Sequence, residues 1–466
     1  MERKIEQRLL KWKNTRFQAL LVKGARQIGK TYSIETFLNK EYKVVKEVNF
    51  ANNATALEAF SNLKNYEDFE VKLALIFGDV TNDDKSVVFF DEIQLIYRRR
   101  DEMVKRDPKS CDGTVDIVTL IKDVASKDKR RYIISGSLLG VNMEGVLLSP
   151  AGYMDVIKMY PMDFEEFLWA KGISKILIAE LRKNFEECVS VDKTIHEEML
   201  SLFREYVLIG GMPEAVKKYI KNSDFGEVTL AQEQILGYYH RDIVTYTSID
   251  ERLAVQEVFD TIPSEIDAKN KRFIKTKLDL VNVKNLDLSD RFLWLDKAGV
   301  VLPVYNVADV TYPLRITEQR KTLKLFLSDV GLLSCLLLGE EGRKKMLLGD
   351  IKVNYGAPFE NVVAQELSAH GFAPLHYWNN KKSGEIDFVV EDNNEILPLE
   401  IKSGKSNGDS LYNHRALNNC LEGHKKIKKA LVFSSENTFK ETKTIINYPI
   451  YFISFLKNDK PNPFDD

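Results

Sequence analysis

Gly24-Ala25-Arg26-Gln27-Ile28-Gly29-Lys30-Thr31 reads G-x-x-x-x-G-K-T, the spacing of a loop that cradles phosphate. The stretch before it, Ala19-Leu20-Leu21-Val22, is a continuous apolar run, as in a buried parallel strand, and residues 31–38 read as a helix. Strand, glycine loop and helix is the order this chemistry requires. Gly24 and Gly29 let the backbone curl so that successive N–H groups converge on an anion. The start of the helix adds its positive end. Lys30 reaches the outer phosphates and the Thr31 hydroxyl holds Mg²⁺. All eight residues, with Ala25, Arg26, Gln27 and Ile28 between the glycines, form the expected nucleotide-binding loop.

A second stretch, Ser86-Val87-Val88-Phe89-Phe90-Asp91-Glu92, carries an acidic pair at the end of an apolar strand. In a parallel sheet wound with helices on both faces, that end lies beside the phosphate loop. Asp91 is expected to hold Mg²⁺, and Glu92 to orient and deprotonate an attacking water. Arg131-Tyr132-Ile133-Ile134-Ser135-Gly136-Ser137 is a further strand whose end offers two hydroxyls. Ser135 and Ser137 read as sensors of the γ-phosphate, or as an ordinary strand-to-turn transition. Lys30, Glu92, Ser135 and Ser137 are thus the candidate catalytic groups, and ATP with Mg²⁺ the expected cofactors. Strands at 18–22, 43–49, 86–90, 131–135 and 155–160 alternate with helical patterns, which predicts an α/β domain over 1–160. Residues 54–77 read as one helical stretch and the charged segment 98–112 as a mobile loop.

At 466 residues the chain exceeds one core, so three or four domains are expected. The net charge of −2 excludes nucleic-acid binding by bulk charge, leaving it to local basic patches. The four cysteines lie far apart with no C-x-x-C pair, which speaks against a zinc site or a disulfide framework. No secretory leader is evident at Met1–Glu6, and the most apolar stretch, 325–338, is too short to span a bilayer. A cytoplasmic protein without membrane contact is the expectation.

Residues 161–245 read as helices, broken by Gly210-Gly211-Met212-Pro213-Glu214. Residues 246–338 read as two helices followed by a β-hairpin, the pattern of a winged helix. Basic residues Lys269, Lys271, Arg272, Lys275 and Lys277 cluster there and suggest either DNA contact or a solvated face. Farther on, Glu360 sits on a helix predicted over 359–367. A strand with Asp387 then turns at Asp392-Asn393-Asn394 into Ile396-Leu397-Pro398-Leu399-Glu400-Ile401-Lys402. Glu400 and Lys402, two apart, share one strand face. Asp387 and Glu400 could hold Mg²⁺, with Lys402 activating water or neutralising developing charge and Glu360 completing the site, as in restriction-endonuclease-like D-x(n)-E-x-K cores. The other reading is a structural salt-bridge cluster.

With both sites in hand, the chain resembles the bacterial and archaeal ATPases that join an AAA-type module to a DUF4143 region. The phosphate loop, Val48-Asn49-Phe50, Phe90-Asp91-Glu92-Ile93-Gln94 and Ser135-Gly136-Ser137 carry the resemblance in the first part. Tyr160-Pro161-Met162-Asp163-Phe164, Gly210-Gly211-Met212, Leu327-Ser328-Asp329-Val330-Gly331, Phe359-Glu360-Asn361 and Glu400-Ile401-Lys402-Ser403-Gly404 carry it onward. The resemblance implies a P-loop NTPase core (1–160), a helical lid (161–245), a winged-helix segment (246–338) and a PD-(D/E)xK nuclease-like α/β domain (339–466). It implies an ATP-driven switch; the alternatives for the carboxyl-terminal part are an ATP-regulated DNA nuclease or a partner-binding module. DNA or a protein is accordingly the expected partner. The family's Gly-Arg pair after the sensor strand is replaced here by Ala151-Gly152-Tyr153.

Overall fold

The apolar run before the glycine loop is β1, Ala19–Lys23, and it has strands on both sides. In the computed structural model it pairs in parallel with β4, Arg131–Gly136, and with β5, Met154–Lys158. β4 pairs with β3, Ser86–Asp91, and β3 with β2, Val44–Asn49, also in parallel. The order is therefore β2-β3-β4-β1-β5. Every residue of β3 is buried, which explains its apolar run: helices cover such a strand on both faces. The structure describes residues 1–15, 18–125, 127–137, 154–247, 249–267, 273–274, 288–347, 356–380, 384–403 and 414–458. Chain contacts separate a unit of residues 2–160 with 297–299 from a unit of residues 161–296 with 300–465.

Two expectations within the first unit change. The helical stretch 54–77 is two helices, Ala54–Ser61 and Tyr66–Phe77, because two asparagines each start one. The Asn53 side chain accepts from Ala56 N at 2.9 Å and that of Asn65 from Asp68 N at 2.9 Å. The charged segment expected as a loop from 98 is instead largely helix, Gln94–Arg106. Its arginines find partners that fix them: Arg99 Nη2 lies 2.7 Å from Glu58 Oε2, and Arg100 donates to Val115 O at 3.0 Å and to Thr114 Oγ1 at 2.9 Å.

The second unit opens with helices Phe164–Ala170, Lys175–Glu187, Lys193–Ile209, Pro213–Asn222 and Phe225–Tyr246. Helices Ile249–Asp267, Leu288–Lys297, Val330–Leu347 and Gly356–Ala369 follow. Among the described residues, a nine-stranded mixed sheet carries β6 (Phe273–Ile274), β7 (Val301–Val307), β8 (Glu318–Leu327), β9 (Leu375–Asn380) and β10 (Gly384–Asp392). It continues through β11 (Glu395–Ile401), β12 (Ala430–Ser434), β13 (Phe439–Lys440) and β14 (Ile445–Pro449), in the order β13-β14-β12-β11-β10-β9-β7-β8-β6. The two helices and the hairpin of the expected winged-helix pattern are present, but within a larger sheet. The hairpin β7–β8 is no free wing, because β7 also pairs in parallel with β9 and so belongs to the same sheet as the strands beyond 375. The basic residues Lys269, Lys271, Arg272, Lys275 and Lys277, and Ala151-Gly152-Tyr153, lie outside the described residues.

Backbone contact explains the glycines of 210–211. A Cβ on Gly211 would lie 2.0 Å from Met162 O, and one on Gly331 would lie 2.2 Å from Ile209 O. Met162 N donates to Gly211 O at 2.8 Å, and Gly211 N donates to Asp329 Oδ2 at 2.5 Å. The helix Gly356–Ala369 anchors the end of β8. Asn361 Oδ1 accepts from Leu327 N at 2.9 Å and its amide donates to Leu327 O at 3.0 Å, while Gln365 Oε1 accepts from Val330 N at 2.9 Å.

Candidate functional site

β4 lies between β1 and β3, so the carboxyl ends of three neighbouring strands carry the glycine loop, the acidic pair and Ser135 side by side. The loop has the backbone its sequence demands. Gly24 has φ of 155° and Gly29 of 89°, both outside the range side chains favour, and a Cβ on Gly24 would lie 2.4 Å from Met159 O. Gln27, exposed at the tip, also has positive φ, 67°. Ala25 and Ile28 are buried and pin the loop to the core, while Arg26 is half-buried.

Gly29 precedes the helix Lys30–Glu41, whose first N–H groups have no partners within the helix and form an anion-binding end. The buried Lys30 ammonium donates to Gly24 O at 3.0 Å and to Ala25 O at 2.7 Å. It is thereby held over the loop, where a phosphate oxygen is a charged and stronger acceptor.

The acid of the pair nearest the loop is Asp91, which is buried. Its Oδ2 accepts from Thr31 Oγ1 at 2.8 Å and from Asn49 Nδ2 at 2.9 Å, and its Oδ1 accepts from Ser135 Oγ. Burial raises the Asp91 pKa above its ordinary value, against the pull of the hydrogen bonds from Ser135 and Thr31. A hydroxyl and a carboxylate at this separation are the two hard oxygen donors Mg²⁺ takes from such a loop, with phosphates and water completing its shell, so the residues fit that ion. Glu92 has φ of 57°, a left-handed conformation that turns the chain out of β3. The Gln94 amide donates to Glu92 Oε2 and, at 3.1 Å, to Ser137 Oγ, which lies 3.4 Å from the same Glu92 oxygen. Ser135 and Ser137 thus have separate partners, one on each acid.

Three residues here had no assigned part in the sequence reading. Asn49 and Gln94 sit inside the quoted phrases Val48-Asn49-Phe50 and Phe90-Asp91-Glu92-Ile93-Gln94, a signal that was present but mute without geometry. Arg3 carried no signal at all. It donates to Ile28 O at 2.8 Å and to Tyr160 O at 2.9 Å, bracing the loop from a segment far away in sequence.

In the second unit, β10 and β11 form the expected hairpin, with Phe388 opposite Leu399. Asp387 Oδ2 accepts from Ile401 N at 2.8 Å. Glu400 is buried, with Oε2 2.7 Å from His414 Nδ1 and Oε1 2.5 Å from Lys402 Nζ. His414 Nε2 in turn lies 3.0 Å from Glu441 Oε2. Glu360, on its helix, lies 3.4 Å from the ammonium of Lys324, a residue of β8 that the sequence reading passed over. Burial pushes Asp387 up to about 7, helped by the Glu360 charge and opposed by Lys324. Burial also acts upward on Glu400, but the hydrogen bond from His414 and the charge of Lys402 outweigh it and leave its pKa below the ordinary value.

Residues 16–168 match the family model described as an AAA domain, residues 355–452 match DUF4143, a domain of unknown function, and residues 200–343 match a second domain of unknown function, DUF8612. No curated protein matches. Among solved structures, the Walker-type ATPase PABY2304 of Pyrococcus abyssi is 16% identical, with 72% of this chain and 95% of that chain covered and a TM-score of 0.39. The Hsp104–ADP complex of S. cerevisiae is 13% identical over 79% of this chain and 45% of that chain, with a TM-score of 0.25. PCH-2 of C. elegans is 12% identical over 64% and 68%, with a TM-score of 0.21. The chain carries an AAA-type P-loop NTPase module fused to a region that matches DUF4143. No helix among the described residues is long and apolar enough to cross a membrane.

Proposed function

We propose that this protein is a Mg²⁺-dependent ATP hydrolase whose nucleotide state switches its carboxyl-terminal unit, working in the cytoplasm on a partner macromolecule, DNA or protein. The observation that carries the reading is the convergence of Lys30, Thr31, Asp91 and Ser135 at the ends of adjacent parallel strands. In this reading Lys30 exchanges the carbonyls of Gly24 and Ala25 for phosphate oxygens. Thr31 and Asp91 hold Mg²⁺, which supplies neutralisation of phosphate charge. Ser135 keeps Asp91 oriented from behind. Glu92, steadied by Gln94, turns from Ser137, accepts a proton from the attacking water and aligns it on the γ-phosphate. Loss of the γ-phosphate is the difference in contacts that drives the switch.

Two variants test the assignment. Lys30→Ala is expected to lose ATP binding by at least tenfold in a fluorescent-nucleotide titration, while Glu92→Gln keeps affinity and loses turnover by about a hundredfold or more. ATP bound by Lys30→Ala as tightly as by the wild type would refute the site. Native mass spectrometry of protein purified without nuclease treatment then separates a nucleic-acid partner from a protein one.

A further inference from the structure

Lys324 is among the most completely buried charges in the second unit, 1% exposed in the middle of β8 between Leu323 and Leu325. An ammonium so placed needs partners to offset its lost hydration. It has two carboxylates: Glu385 Oε1 at 2.8 Å and Glu360 Oε2 at 3.4 Å. The ring of Tyr377 packs beneath it, 5.0 Å from ammonium to ring centre. Its charge also bears on the carboxyl of Asp387. Lys324 therefore stands among the acids that a nuclease-like reading would give to a metal.

Further oxygens among these acids are engaged. Glu400 gives one oxygen to Lys402 and the other to His414, and Asp387 Oδ2 accepts from the Ile401 N–H at 2.8 Å. Mg²⁺ takes carboxylate oxygens whose lone pairs are directed at it and fills the rest of its octahedron with water or phosphate. Among the described residues, Asp163, Glu366 and His370 bring three ligand atoms within 4.8 Å of one another, whereas Glu360, Asp387 and Glu400 form no such group. A divalent ion brought to Glu360 and Asp387 would also face the Lys324 charge at close range in a poorly screened interior. The donor set does not fit a metal as it stands.

We propose that Lys324 is a built-in counter-cation: its ammonium takes the place of a divalent ion among Glu360, Glu385 and Asp387, and this region does not cleave phosphodiesters through such an ion. The lysine ties β8, the helix bearing Glu360 and β10 together by charge, which in a metal-dependent enzyme falls to the ion. The inference stands apart from the nucleotide reading, since no residue of the glycine loop enters it.

Mn²⁺ titration of the full-length protein without nucleotide, followed by electron paramagnetic resonance, tests it. Any Mn²⁺ held near Asp91 is common to all samples and cancels in the comparison between wild type and Asp387→Asn. The expected result is the same number of bound Mn²⁺ in both. Lys324→Ala is expected to unfold at a lower temperature than the wild type and to regain part of the loss with millimolar Mn²⁺, an effect absent when Asp387→Asn is added. A wild-type Mn²⁺ site that disappears in Asp387→Asn would overturn the proposal. So would Mg²⁺-dependent cleavage of DNA abolished by Lys402→Ala, or a folded Lys324→Ala protein indifferent to Mn²⁺. If Lys324→Ala does not fold, the comparison of wild type with Asp387→Asn decides by itself.

Discussion

Gln94 and Asn49 tie the two acids at the end of β3 to their surroundings, and they do so differently. Asn49 supports Asp91, whereas Gln94 grips Glu92, the group expected to move during turnover. Gln94→Leu should therefore leave ATP affinity within about twofold and lower kcat by roughly ten- to a hundredfold, since a misplaced base loses alignment before it loses chemistry. A stopped-flow measurement that found affinity falling in step with kcat would contradict this. Glu400 allows a test by pH. Its pKa lies below the ordinary 4.5, so its ionised form favours the folded state. That contribution is complete above pH 4.5 and drains away as pH falls through the folded-state value. Glu400→Gln should be less stable than the wild type at pH 7 by about 2 kcal/mol, with the gap closing on acidification, as read by urea unfolding. The sequence made Lys30, Thr31 and Asp91 legible because their spacing is dictated by phosphate and metal geometry. Lys324 stayed hidden because a lysine within Leu323 to Leu325 looks like a solvent-facing alternation until its partners are known.

At the scale of elements, the strands of the first unit were legible because apolar runs and glycine punctuation are local. The helix Gln94–Arg106 was not, because its arginines are fixed by Glu58, Thr114 and Val115, which no reading of neighbouring residues supplies. The two glycines at 210–211 were legible as a break, but their reason is packing between elements: Gly211 lies against the carbonyl of Met162. Gly211→Ala should cost about 3 kcal/mol, because backbone and not a flexible side chain must move. Gly237→Ala, inside the helix Phe225–Tyr246 with nothing within 4 Å of the new Cβ, should instead stabilise by up to about 1 kcal/mol. Chemical denaturation of the two variants side by side checks both signs; equal effects would show that the close approach at Gly211 does not matter.

Across the whole chain, the parallel sheet of the first unit followed from its sequence, while the sheet of the second was not legible where connections are long. Period-2 patterning finds β7 and β8 but says nothing of which strand lies on the far side of β7. A wing and a continuous sheet share that local pattern. It follows that residues 161–347, expressed alone, should leave the β9-facing edge of β7 unpaired and elute as aggregate in gel filtration, while 161–466 should elute as a folded species. A monomeric, cooperatively unfolding 161–347 fragment would argue for the separate domain after all. The same connectivity bears on synthesis. The ribosome delivers β7 long before β9, with Val304 and its partner Leu375 some seventy positions apart, so the nascent sheet waits half-built with one ladder of amides exposed. Slow decoding between those strands, or scarcity of a chaperone able to shield that ladder, would lower the yield of native protein without touching a single contact of the finished molecule.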